Sequence, residues 1–315
     1  MNRSDYHTPV LLQEVLNLLS IKENGAYLDG TLGGGGHFRA IAERLSDTGV
    51  VIGIDRDREA LENVEARKLD VKPKVILEQT RFSSFDQVLE KNGLKKVDGL
   101  LVDLGVSSKQ IDAADRGFSY MQEADLDMRM DQESGISARE LLKTVDEEEL
   151  ADILSKYGEI RNPGRMARAI KVYMKQHEIE TSTDLRNCIV GEYGSSVKIQ
   201  VFAKLFQALR IAVNSELEEL RVFLSKSLKY LNRGGRLAVI SYHSLEDRMV
   251  KEFIREAEES CICPPELPMC RCNKPVYLKR VNRKIVTASG EEIERNPRSR
   301  SARLRVAERT EAEQR

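Results

Sequence analysis

Two short runs, Val50-Val51-Ile52-Gly53-Ile54 and Leu100-Leu101-Val102, are apolar at every position. Their brevity and bounded ends mark them as strands, and a strand without a polar face must be covered on both sides. The flanking sequence supplies that cover. Strand-like residues 26–29, 50–55, 74–78 and 97–104 are interleaved with helix-periodic residues 37–45 and 57–69, an alternation that implies right-handed crossovers between parallel strands. The expected fold is therefore α/β, a parallel sheet between helical layers. A leading helix precedes it, with Thr8 and Pro9 as N-cap and first helical residue and Leu11, Leu12, Val15, Leu16 and Leu19 on one face.

The rhythm then changes. Between residues 114 and 214 the periodic segments 138–142, 147–157, 164–176 and 201–213 are all helical, with no convincing strand among them. Beyond 214 a helix over 215–231, a turn at Arg233-Gly234-Gly235, a strand over 236–242 and a helix over 245–259 restore the α/β pattern. Residues 276–280 and 284–288 read as a hairpin and 302–306 as a closing strand. At 315 residues the chain exceeds one ordinary domain. The expected division is a sheet domain of 1–113 and 215–315 carrying an all-helical insert at 114–214.

Hydrophobic residues make up 41% and charged residues 32%, the balance of a soluble globular protein. No apolar run is long enough to span a bilayer and no signal-peptide core opens the chain, so the expected location is cytoplasmic. A net charge of -1 excludes binding nucleic acid by bulk charge alone. Locally the balance differs: Arg271, Lys274, Lys279, Arg280, Arg283, Lys284, Arg295, Arg298, Arg300, Arg303 and Arg305 crowd one segment, either a solvated tail or a grip on an RNA backbone.

In a parallel sheet, ligands bind beyond the carboxyl ends of the strands. There the sequence places Asp29-Gly30-Thr31-Leu32-Gly33-Gly34-Gly35-Gly36-His37 after the first strand, Asp55 at the end of the second and Asp103 at the end of the fourth. The glycines admit a ligand close to the backbone, and Asp55 suits two hydrogen bonds to a ribose diol. A nicotinamide enzyme would show similar features. However, the contiguous glycines lack the G-x-G-x-x-G spacing, and three carboxylates favour a ligand carrying an ammonium and a sulfonium, S-adenosylmethionine, over a pyrophosphate. Asp29 reads equally well as a helix cap.

Further segments extend the pattern: His7-Thr8-Pro9-Val10-Leu11, Asp29-Gly30-Thr31 with Gly35-Gly36-His37, Asp103-Leu104-Gly105-Val106-Ser107-Ser108, Arg116-Gly117-Phe118-Ser119, Leu126-Asp127-Met128-Arg129-Met130, Val213-Asn214-Ser215-Glu216-Leu217, Ser244-Leu245-Glu246-Asp247-Arg248 and Asn296-Pro297-Arg298-Ser299-Arg300. In this order, over nearly the whole chain, they resemble the MraW family. The resemblance implies a class I (Rossmann-like) methyltransferase sheet with an inserted helical domain. It also implies methylation of the N4 amine of a decoding-centre cytidine in 16S ribosomal RNA, with the RNA met within the small ribosomal subunit. By position it implies cofactor contacts from Gly35, Gly36, His37, Asp55, Phe82, Asp103 and Gln110, with Phe82 near the adenine and Asp103 and Gln110 towards the methionine end.

An exocyclic cytosine amine is a poor nucleophile, because its lone pair is delocalised into the ring, and its proton needs an acceptor. Backbone carbonyls after Asp103 and a hydroxyl of Ser107 or Ser108 are candidates; either serine reads equally as a helix cap. His243, at the end of the last central strand, is a candidate relay or a structural histidine. Cys261-Ile262-Cys263 and Cys270-Arg271-Cys272 pair two C-x-C units across six residues, either four zinc ligands or a loop of free thiols. The rival functions are a non-catalytic ribosome assembly factor and a nicotinamide-dependent oxidoreductase.

Overall fold

The computed structural model describes residues 9–67, 69–113, 116–264 and 271–312. Contacts divide the chain into two compact units: Met1–Gly105 with Glu218–Arg315, and Val106–Leu217.

The first unit is built on seven strands: β1 Ala26–Asp29, β2 Val50–Asp55, β3 Lys74–Gln79, β4 Val97–Asp103, β5 Leu231–Ser241, β6 Leu278–Arg280 and β7 Arg303–Arg309. They lie in the order β3-β2-β1-β4-β5-β7-β6. The first five run parallel, and β7 is antiparallel to both of its neighbours. Alternate side chains of the buried strands enter two separate cores, as strand geometry requires. Leu28, Ile52 and Leu100 join Phe85, Leu89, Leu220, Phe223 and Ile254 on one face. Tyr27, Val51 and Leu101 join Val15, Leu16, Leu19, Phe38, Ile41 and Val64 on the other. The apolar runs seen in the sequence are thus strands packed against helices on both sides.

Several boundaries differ from expectation. The leading helix is Leu12–Leu19, and its N-cap Leu11 has a left-handed backbone with φ 54. The Leu11 N–H donates to Glu292 Oε1 at 2.8 Å, a carboxylate from the far end of the chain. Thr8, read as the cap, lies outside the described residues. Residues 276–280 and 284–288 do not pair as a hairpin: β6 pairs with β7, and Val286 forms an isolated bridge to Leu304, also on β7. The turn at Arg233-Gly234-Gly235 lies inside β5 as a bulge, because Val97 pairs with Leu231 and Gly99 with Arg236.

The second unit contains the helices Ser108–Asp112, Ala138–Thr144, Glu147–Gly158, Pro163–Tyr173, Ser182–Tyr193 and Ile199–Asn214. Its own core includes Leu142, Leu150, Leu154, Ile170, Leu185, Ile189, Leu205 and Leu209. The helix over Ser182–Tyr193 had no expected counterpart. It starts with a capping box in which Thr181 and Asp184 bond each other's backbone N–H, a signal the Thr-x-x-Asp spacing carries. No helix among the described residues is long and apolar enough to cross a membrane.

Candidate active site

β2, β1 and β4 are adjacent, so Asp55, Asp29 and Asp103 end neighbouring strands on one edge of the sheet. Asp29 is buried, and its Oδ1 accepts the Thr31 N–H at 3.1 Å. Burial raises its pKa well above the usual carboxylate value, and the charges of Asp103 and Asp55 add to the rise. Asp55 accepts the N–H groups of Gly33 at 2.8 Å and Asp57 at 2.9 Å. Its carboxylate therefore ties the glycine turn to the start of the next helix, and burial lifts its pKa to about 6. Desolvated like charges at one strand edge are costly unless a cation joins them.

Asp103 is the most elaborately held of the three. The Tyr242 hydroxyl donates to its Oδ1 at 2.8 Å, and its backbone N–H donates to the Thr31 hydroxyl at 2.6 Å. Its Oδ2 lies 3.8 Å from His37 Nδ1. The other ring nitrogen of His37 lies 3.0 Å from the Val10 carbonyl. A carbonyl only accepts, so Nε2 carries the hydrogen and Nδ1 faces Asp103 as an acceptor. Burial lowers the His37 pKa to about 4, and burial raises that of Asp103 to about 7 despite the Tyr242 hydrogen bond. Protonated, Asp103 can donate towards His37; ionised, it is available to a cation. Tyr242 packs under the turn that follows, where a Cβ on Gly105, at φ +105, would stand 3.3 Å from its ring.

The glycine turn is shaped by tight packing. Gly35 caps the helix Gly36–Ala42 at φ 74, and a Cβ there would lie 2.6 Å from Val64 Cγ2. A Cβ on Gly36 would lie 2.7 Å from Pro9. Phe82 is buried beside Gly30, where an added Cβ would lie 3.0 Å from it, and its ring is edge-on to Phe223 at 5.5 Å between centroids.

Other expected site residues have structural tasks. His243 caps the helix Ser244–Glu258, its Nδ1 accepting the Glu246 N–H at 3.4 Å while Glu246 Oε2 accepts the N–H groups of Tyr242 and His243. Its Nε2 stands 3.1 Å from Glu246 Oε1. Ser107 and Gln110 belong to the second unit, where they form a reciprocal capping box at the start of the helix Ser108–Asp112; the Ser108 side chain lies outside the description. Sequence reasoning passed over Tyr242 and Thr31, which hold Asp103. Tyr242 follows directly on a strand end, the position that had picked out the aspartates.

Within the second unit, three of the sequence segments prove to be one clasp. Arg116 donates to the carbonyls of Arg129 and Met130. Asn214 accepts the Met130 N–H and donates to the Met128 carbonyl, each at 2.8 Å. In the basic segment, Lys274, Arg280, Arg303 and Arg305 pair with Glu259, Glu258 and Asp247. Lys279, Arg283, Lys284 and Arg300 are exposed.

A parallel sheet of this order with an antiparallel seventh strand, and carboxylates ending its first, second and fourth strands, is the frame of a class I methyltransferase using S-adenosylmethionine. The three strand-end acids suit that ligand's ammonium and sulfonium and would repel a pyrophosphate. Residues 4–310 match the MraW methylase family, and the chain belongs to it. The protein named ribosomal RNA small subunit methyltransferase H in Caldicellulosiruptor bescii is 45% identical over 307 residues, covering 96% of this chain and 98% of that one. Its namesake in Clostridioides difficile is 43% identical over 306 residues, covering 96% and 98%. Among solved structures, an rRNA methylase from Streptococcus thermophilus aligns with TM-score 0.42 and 10% identity over 95% of this chain and 94% of that one. A Streptococcus mutans protein in complex with SAH aligns with TM-score 0.44 and 12% identity over 96% and 99%.

Proposed function

We propose that the chain methylates the N4 amine of a decoding-centre cytidine in 16S ribosomal RNA, with the RNA presented in the small ribosomal subunit. The observation that carries the reading is the edge formed by Asp29, Asp55 and Asp103, with Asp103 held by Tyr242 and Thr31. The names of the relatives support ribosomal RNA as the substrate class. The choice of N4 and of the decoding centre rests on the family resemblance of the strand-end segments.

In this reading S-adenosylmethionine supplies an electrophilic methyl group. Asp55 receives the ribose diol, and Asp29 and Asp103 face the cationic end. Gly35 and Gly36 let the turn pack tightly against Val64 and Pro9, so that its backbone faces the ligand, and Phe82 flanks the adenine. His37, anchored on the Val10 carbonyl, stands 3.8 Å from Asp103 and contacts the cofactor beside it. Carbonyls of the Leu104-Gly105 turn accept the amine's hydrogens, which directs its lone pair out of the ring's conjugation and towards the methyl group. The helical unit and the exposed cations of the basic segment grip folded RNA.

Nucleoside mass spectrometry after incubating the protein and S-adenosylmethionine with undermethylated small subunits tests this. N4-methylcytidine at a single position is expected. Only 5-methylcytidine or a ribose methyl would overturn the N4 assignment, and cofactor binding without any turnover would favour an assembly factor.

A further inference from the structure

Cys261, Cys263 and Cys272 belong to none of the arrangements above. Their three sulfurs lie within 4.8 Å of one another, and all three thiols are free of disulfides. Each sulfur also accepts a backbone N–H at 3.4 Å: Cys261 from Cys263, Cys263 from Arg271 and Cys272 from Ile262. Two of these bonds cross reciprocally between the limbs of the loop, from the 262 limb to Cys272 and from the 271 limb to Cys263. Asn273 then takes a left-handed backbone at φ 44, turning the chain sharply after the last cysteine.

No apolar burial among the described residues accounts for this convergence. Among the described residues none of 259–264 or 271–275 is buried, and Ile262 is 65% exposed. The foot of the loop is closed by Lys274, which donates to the Glu256 carbonyl at 2.7 Å and pairs with Glu259 at 3.1 Å. That closure brings the limbs together but does not aim three sulfurs at one point. Thiols gain little from meeting, and thiolates repel one another, whereas a soft divalent cation satisfies all three. Around a tetrahedral zinc with bonds of about 2.3 Å, the sulfurs stand about 3.8 Å apart, a small contraction of the spacing seen here.

We propose that Cys261, Cys263 and Cys272 bind a structural zinc ion. Each thiol gives its proton to solvent as its sulfur joins the metal. The ion staples the loop that leads into β6 and so fixes the start of the basic segment. Cys270 lies outside the described residues, and the site stands on the other three.

The test is elemental analysis of the full-length chain purified from zinc-supplemented culture. About one zinc per chain is expected, lost in the Cys261→Ser/Cys272→Ser double variant while S-adenosylmethionine binding is retained. Cobalt exchanged into the wild-type chain should show the visible absorption of tetrahedral thiolate coordination, a readout that does not depend on the variant folding. Wild-type protein without zinc, iron in its place, a double variant that keeps its zinc, or cobalt protein without that absorption would each overturn the proposal.

Discussion

Replacing Asp103 by asparagine should move stability and cofactor affinity in opposite directions. The substitution keeps shape and partners: an amide oxygen can still accept from Tyr242, and the amide nitrogen faces His37 Nδ1, which is an acceptor. The bond from its backbone N–H to Thr31 does not involve the side chain. What disappears is a carboxylate whose pKa burial raises from 3.8 to about 7. A group raised in the folded state contributes stability that is present in full below its unfolded value and lost as pH rises through its folded one. For Asp103 that window runs from 3.8 to about 7, and the shift corresponds to at most about 4 kcal/mol. The side chain is 22% exposed, so solvent reduces the realised cost, to about 1–3 kcal/mol. At about pH 8, Asp103→Asn should therefore melt higher than the wild type, by roughly 2–4 °C per kcal/mol. Its affinity for S-adenosylmethionine should fall roughly 10- to 150-fold, the loss of about 1.5–3 kcal/mol of charge-assisted contact. The wild-type affinity should itself drop as pH falls below about 7, because the ligand needs the ionised carboxylate, and the variant should lack that dependence. Thermal unfolding and titration calorimetry from about pH 5 to about pH 8.5 measure both. A variant less stable than wild type at the upper pH, or one that binds the cofactor as tightly, would refute the reasoning.

Asp55→Ala should weaken S-adenosylmethionine binding by about 1.5–3 kcal/mol, since the carboxylate offered to the ribose is also the one that holds Gly33 and Asp57 in place; an unchanged dissociation constant in calorimetry would remove Asp55 from the site. Gly35→Ala adds a Cβ at φ 74 and 2.6 Å from Val64 Cγ2, which should cost about 1–3 kcal/mol. Thermal unfolding reads that loss, and an unaltered melting temperature would mean that Val64 and its helix yield without penalty.

The amino-acid sequence by itself determined the elements whose pattern is local. β2 stands at the residues its apolar run marks and β4 contains the other run, because a strand buried on both faces leaves no polar position within the run. The three aspartates were legible because the end of a parallel strand is both a sequence boundary and a place in space. Tertiary structure decided whatever depends on partners distant in the chain. The leading helix starts at Leu12 because Leu11 is held by Glu292, and no local signal near Pro9 reports that bond. Residues 276–280 and 284–288 look like mutual partners, yet β6 and Val286 each meet β7, a strand distant in the sequence. His243 read from the sequence as either a relay or a structural histidine, and only the tertiary structure shows it capping the helix Ser244–Glu258 beside Glu246. Tyr242 acquires its place only because β5 lies beside β4, which sets its hydroxyl on Asp103. Periodicity records which face of an element is buried, while hydrogen bonds between distant segments form only after the sheet order has brought those segments together.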